Sequence, residues 1–212
     1  LLDAAQVLLE GEVRAVDLGR VGRRHFILHL GIGFDALVTQ AVEPVRPRAA
    51  RSLRNLRYYA AVLGLAFSRR GTRMTITIDG VTTRERALAV IATNAQFYAG
   101  TFRLAPGALL DDGLLDVFVF KGNDAVDALR HMGAVILGRH VGMLKMEAYQ
   151  VKELTVRSDL ALPVQLDGEP VERTPVEVRV EPGALRVIVP PAATDLFCRP
   201  PLEQSLARSR AG

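Results

Sequence analysis

Runs of apolar residues at every second position, beginning at Arg73, constrain the fold of this chain more than any other feature. Met74, Ile76 and Ile78 alternate with threonines before Asp79, and Val176, Val178 and Val180 alternate with Glu177, Arg179 and Glu181. Successive side chains of a strand point to opposite faces, so this alternation marks strands with one buried face. Turn signals separate the runs, among them Asp79-Gly80, Asp167-Gly168 and Pro182-Gly183. Asp and Gly tolerate the positive φ values that tight hairpins require.

Further strands are expected at about 13–18, with a turn at Gly19 to Gly22, and at 25–30, 86–93, 114–120, 151–157, 164–166 and 185–189. Helices are expected at 1–10, just after "GIGFDALV", at 51–67 and at 123–138. The third carries Leu53, Leu56, Ala60, Leu63 and Phe67 at helical spacing, and the fourth Val126, Leu129, Met132, Val135 and Ile136. Many short antiparallel strands with two or three peripheral helices predict an α+β fold built as a β-sandwich. The simplest division is one domain over 1–191 and a polar tail over 192–212.

With 49% apolar and 24% charged residues, the composition is that of a folded globular chain and argues against disorder. The longest uncharged apolar run, Tyr58 to Phe67, is far short of the ~20 residues of a membrane span. Leu1 is not preceded by Met, and the reading expects a fragment or processed chain. Cys198 is the only cysteine, which suits a reducing compartment, and no chemistry is assigned to it. His25 and His29 lie four apart, but on a strand, and a structural role is favoured.

The net charge of +4 is unevenly placed. No acid falls between Glu43 and Asp79, whereas Arg46, Arg48, Arg51, Arg54 and Arg57 do, so this segment is a candidate contact for anionic lipid or phosphate. Aromatic residues make up only 6% and form no stacking platform, which argues against nucleic acid.

Three constellations carry candidate chemistry. Gly31-Ile32-Gly33-Phe34-Asp35 follows a strand and precedes a helix, as a dinucleotide fingerprint does. The acid expected about 20 residues on is missing, and a tight strand-to-helix turn is the better account. Asp111, Asp112 and Asp116 crowd around Gly113, in a loop type that hard cations use. Asp167 and Glu169 flank Gly168, where alternate residues can present both carboxylates to one cleft, one as a general base.

The blocks "FILHLGIGFDALV", "LRYYAAVLG", "ITIDG", "VIATNAQFYAGTFRLAPGALLDDGLLDVFVF", "GRH", "VQLDGEPVE" and "ALRVIVP" occur in that order. Together, from about Ala15 to Pro190, they resemble the C-terminal domain of the soluble bacterial diacylglycerol kinase and lipid kinase family, which includes sphingosine kinases and is more distantly related to NAD kinases. The resemblance implies a β-sandwich packed against an N-terminal nucleotide-binding domain that lies outside this sequence. It implies Asp167 as the base on a lipid hydroxyl, Glu169 as its supporting carboxylate, and Asn94 as a cofactor-side residue near the cleft. It implies a structural Mg²⁺ held by Asp112 with the carbonyls of Leu109 and Leu114, and a catalytic Mg²⁺ that arrives with ATP.

The family's Gly-Gly-Asp-Gly-Thr nucleotide loop is absent from this sequence. The expectation is therefore one half of an ATP-dependent lipid kinase of phospholipid metabolism, inactive alone, converting diacylglycerol to phosphatidic acid when complete. Expected partners are the lipid substrate, an anionic membrane surface met by Arg46, Arg48, Arg51 and Arg54, and the nucleotide-binding domain, with homodimerisation left open. The expected location is cytoplasmic and peripheral to the membrane. Two alternatives stand beside this: a substrate domain like that of NAD kinases, and a non-catalytic module that binds anionic lipid.

Overall fold

In the computed structural model, the structure describes residues 2–42, 64, 70–98 and 102–199. The expected helix at 51–67, together with Arg46, Arg48, Arg51 and Arg54, lies outside the described residues.

The chain opens with α1 (Leu2–Glu10), β1 (Glu12–Val21), β2 (Arg24–Phe26), β3 (His29–Gly33) and α2 (Phe34–Val42). It continues through β4 (Thr72–Ile78), β5 (Val81–Thr93), the short β6 (Phe97–Tyr98) and β7 (Phe102–Arg103), β8 (Leu115–Lys121) and α3 (Ala125–Ile136). It then passes through β9 (Met146–Val151), β10 (Glu153–Ser158), β11 (Pro163–Leu166), β12 (Glu169–Arg173) and β13 (Val176–Val189) to a single 3₁₀ turn at Thr194–Leu196. Eleven strands form one sheet in the order β12-β11-β3-β5-β4-β10-β13-β1-β2, with β8 added to β5 and β9 to β8. Each pairing in it is antiparallel. The sheet curls into a half-barrel with helices at its periphery, as the α+β reading expects. No helix among the described residues is long and apolar enough to cross a membrane.

The alternating residues build the core. Met74 and Ile76 of β4, Val176 and Val178 of β13, and Leu30, Ile32, Val90 and Leu154 of their neighbours share one buried cluster. Each such side chain stabilises the fold by about 1.5–3 kcal/mol relative to exposure. A second cluster on the other face of β5 and β8 joins Ile91, Phe118 and Phe120 to Leu104.

The structure corrects five local expectations. The strand expected at 25–30 is two strands broken at Ile27 and Leu28, and the one at 151–157 breaks at Lys152. Gly19 lies inside β1 rather than in a turn, because a Cβ there would enter the Phe26 ring at 2.0 Å. Pro182-Gly183 is not a turn between strands but part of the continuous β13. There Pro182, Gly183 and Ala184 stand opposite the single Asp17, between the Val16–Leu185 and Leu18–Glu181 pairs, so β13 itself carries the extra residues as a bulge. In α3 the apolar stripe marks the inner face only in part: Met132, Val135 and Ile136 face an apolar cleft beside Ala128 and His131, while Val126 is 63% exposed and Asp127 is buried. Lys145 draws Asp127 inward at 2.7 Å, and the His131 Nε2 lies 2.7 Å from the Lys121 carbonyl.

Candidate functional site

The Asp167-Gly168 turn forms as its residues dictate. Asp167 has φ +48° and Gly168 φ +88°, and Leu166 pairs with Glu169 across the two-residue loop. The Asp167 carboxylate reaches the break between β2 and β3. Its Oδ2 accepts from the Ile27 amide at 2.7 Å, and its Oδ1 accepts from Leu28 at 2.9 Å and His29 at 2.8 Å. Three amides freed by the break are thus satisfied by one side chain. The Asp79-Gly80 turn repeats the device: Asp79 has φ +45°, and its Oδ1 accepts from the Lys152 and Glu153 amides at the other break. Holding a strand break is therefore a sufficient structural reason for an Asp at such a turn. Asp167 keeps one Oδ2 lone pair for a further donor, as Asp79 also keeps Oδ2 capacity, so what sets Asp167 apart is the residues its turn connects.

Two contact paths run from this turn. The first passes through the bend. The Leu28 carbonyl accepts from the Asn94 amide at 2.9 Å and the Thr93 hydroxyl at 3.0 Å. The buried Asn94 donates its Nδ2 to the Asp17 carbonyl at 2.8 Å, and its Oδ1 meets no donor among the described residues. Asp17, fully buried, accepts from the Gly113 amide at 2.6 Å and the Gly183 amide at 2.7 Å. The structure so brings Asp167, Asn94 and the acidic loop to one end of the sheet. Glu169 is exposed at the start of β12.

The second path leads inward. Gln165, buried in β11, accepts from the Gly168 amide at 2.7 Å and donates its Nε2 to Asp35 at 2.9 Å. Asp35, in the first turn of α2, also accepts a short hydrogen bond from the Tyr98 hydroxyl. A Cβ on Gly31 would sit 1.4 Å from the Asp35 carboxylate, so only glycine lets Asp35 cross β3 to Gln165. Gly33, at φ +81°, makes the turn into α2. The glycines of "GIGFD" thus make room for a carboxylate and a tight turn. Asp35 and Tyr98 border an apolar cleft of about 130 Å³ walled by Phe34, Leu88, Phe102, Phe120, Met132 and Val135.

Asp35, Gln165, Tyr98 and Asp17 were not singled out from the sequence. The available signal was a lone polar residue inside an apolar strand: Gln165 in "PVQL" and Asp17 in "VDL". A polar side chain at a buried strand position needs partners.

In the acidic loop, Asp111 is spent on structure, accepting from the Cys198 and Arg199 amides at 2.6 and 2.8 Å. Asp112 accepts from the Leu114 amide at 3.0 Å. Burial pushes its carboxyl above the usual range, against that amide, and the Asp17 and Asp111 charges add to the rise. Asp116 is pushed up to about 6, by burial first and the Asp112 charge second. Among the described residues no three acidic, His or Cys side chains converge on one metal position. A hard cation would be held by Asp112 and Asp116 with loop carbonyls, and their mutual repulsion fits one.

Burial of Asp116, with that repulsion second, sets a pH dependence. The folded chain keeps a proton on Asp116 that the unfolded chain, at the ordinary 3.8, gives up. Stability therefore falls as pH rises from 3.8 through about 6. Asp116→Asn should raise the thermal midpoint above that window and change it little below. Mg²⁺ should raise the midpoint of the unsubstituted chain at about pH 7.5 and lose that effect near pH 5, as protons compete for the carboxylates. A scanning calorimeter reads both.

These features define a β-sandwich-like domain in which a carboxylate turn, an acidic loop and an apolar cleft adjoin. The chain belongs to the family described as the YegS C-terminal NAD kinase beta sandwich-like domain, whose model matches residues 29–189. It is similar to the "Probable lipid kinase YegS-like" protein of Pseudomonas aeruginosa, at 33% identity over 205 residues, covering 94% of this chain and 64% of that protein. It is also similar to a diacylglycerol kinase of Mycobacterium tuberculosis, at 27% identity over 196 residues, covering 88% of this chain and 61% of that protein. A crystal structure of a diacylglycerol kinase from Bacillus anthracis shares the fold, with a TM-score of 0.60 at 18% identity, covering 90% of this chain and 59% of that one. The chain thus spans about three fifths of the length of these relatives.

Proposed function

We propose that this chain is the lipid-side half of an ATP-dependent lipid kinase that phosphorylates diacylglycerol to phosphatidic acid. The observation that carries the reading is the path from the apolar cleft through Asp35 and Gln165 to the Asp167 turn. An acyl tail in the cleft leaves the polar end of the lipid at the Asp35–Tyr98 border. Asp167 takes the proton from the hydroxyl as the oxygen attacks the γ-phosphorus of ATP, and Glu169 supports it. The bond from that phosphorus to the β–γ bridging oxygen breaks, and ADP leaves. A nucleotide-binding domain supplies ATP and its Mg²⁺. Asn94, buried against Asp17, would border the nucleotide side of the site, and Asp112 would hold a structural Mg²⁺ that keeps its loop in shape. The arginine-rich segment at 46–54 meets anionic lipid at the membrane surface.

Positioning of phosphates and metal supplies most of the catalysis in phosphoryl transfer. This chain alone should therefore show no ATP-dependent phosphorylation of diacylglycerol dispersed in mixed micelles, and adding a nucleotide-binding domain from the family should restore it. Turnover by the chain alone would overturn the division of labour; no turnover with any such domain would overturn the kinase reading.

A further inference from the structure

The stretch from Ala128 to Met146 contains no acid, while Arg130, Arg139 and Lys145 fall inside it. Its middle carries the densest group of exposed large apolar side chains among the described residues. Ile136 is 48% exposed, Leu137 69%, Val141 57% and Leu144 100%. Single exposed apolar residues need no explanation, but a contiguous group at one turn does. This turn is also held in place. The buried His140 sits with its Nε2 2.6 Å from the Leu104 carbonyl, and the amides of Met143 and Met146 bond back to His140 and Met143. Gly138 and Gly142 take positive φ on either side of it. The exposed side chains are thus presented by an anchored loop.

Two observations point to what covers them. Ile136 belongs to the wall of the apolar cleft, so the exposed group continues the cleft lining outward. Within 128–146 the charge is basic, and the acids that bound the stretch are engaged, Asp127 by Lys145 and Glu147 by Lys121, each at 2.7 Å. This leaves Arg130 and Arg139 without an ion-pair partner among the described residues. Leu8 and Leu9 of α1 are exposed too, at 70% and 87%, but acids flank them at Asp3, Glu10 and Glu12, and they do not line the cleft. Apolar tips with basic flanks suit the interface of an anionic bilayer, where the apolar groups enter the acyl boundary and cations meet the headgroups.

We propose that the turn from Ile136 to Leu144 is a membrane-insertion tip, which seats the mouth of the cleft in an anionic bilayer so that a lipid passes from the leaflet to the cleft without crossing water. This rests on the reading of the cleft as a lipid site. It is distinct from the arginine segment at 46–54, which would act by charge alone.

The chain contains no tryptophan, so a Leu144→Trp variant carries one clean reporter. Its emission should shift to the blue on phosphatidylcholine vesicles doped with phosphatidylglycerol, and lipids brominated on their acyl chains should quench it. The shift should weaken on phosphatidylcholine alone. Leu137→Asp with Leu144→Asp should lower vesicle partition about a hundredfold, roughly tenfold for each leucine, with an unchanged thermal midpoint. In the complete kinase the same pair should slow phosphorylation of vesicle-borne diacylglycerol and spare a short-chain, water-soluble one. Emission that stays at the water-exposed wavelength on every vesicle would overturn the tip. So would a double variant that partitions normally, or one whose effect is on self-association or docking of the nucleotide-binding domain. Insertion that persists in a protein without kinase activity would sink the kinase reading and leave the tip standing.

Discussion

In a kinase assembled from this chain and a nucleotide-binding domain, Asp167→Asn is expected to lower lipid phosphorylation about 10²–10⁴-fold, the range that a positioned general base contributes. The substitution also injures the fold. An amide nitrogen would face one of the three N–H groups that the carboxylate now accepts from Ile27, Leu28 and His29. Leaving such a donor unmet costs about 1–3 kcal/mol when buried, and the lower end applies at this exposed turn. Asp79→Ala is the control, because Asp79 holds the Lys152 and Glu153 amides at the other break through its Oδ1, and truncation releases both. Both variants should lose a few degrees of thermal midpoint, and Asp167→Asn alone should lose activity. Equal residual activity in the two would mean that Asp167 is only a strand-break cap.

The second large effect concerns stability. Asp17→Ala removes the acceptor of the Gly113 and Gly183 amides, each held within 2.7 Å, the first buried and the second part-buried. Two orphaned amides at about 1–3 kcal/mol each predict a loss of roughly 2–6 kcal/mol, among the larger single-residue effects. Urea unfolding followed by circular dichroism measures it. Gly113 follows Asp112, and Asn94 bonds the Asp17 carbonyl, so the lesion sits between the acidic loop and the candidate catalytic turn. A loss under about 1 kcal/mol would mean that water replaces the carboxylate at both glycines.

Local chemistry was legible where one residue type leaves the backbone few choices. The two Asp-Gly hairpins, a helix start expected at 123 and found at Ala125 behind the Asp124 cap, and the alternating strands β4 and β13 follow from φ preference, capping and period two. What resisted reading was set by partners far along the chain. The breaks at Ile27–Leu28 and at Lys152 exist because carboxylates 138 to 140 and 73 to 74 residues away hold their amides. The Pro182-Gly183 bulge depends on Asp17, 166 residues from Gly183. The same limit governed the site. Asp167 was visible as a turn residue, but its connection to a cleft runs through Gln165 and Asp35, which only the pairing of β3 with β11 brings together. In α3 the period placed Met132, Val135 and Ile136 correctly and missed Asp127 and His131, which Lys145 and the Lys121 carbonyl hold inward.

The family model stops at residue 189, yet the fold does not. Phe197 is buried beneath the Arg14 guanidinium, whose Nη1 donates to the Arg199 carbonyl at 2.5 Å, and the Cys198 and Arg199 amides fill the Asp111 carboxylate. An expression boundary drawn at the last strand would strip Asp111 of both donors and bare an arginine next to it. Residues 190–199 therefore act as a clasp, and a trimmed version would be a different, looser object from the one whose acidic loop is described above.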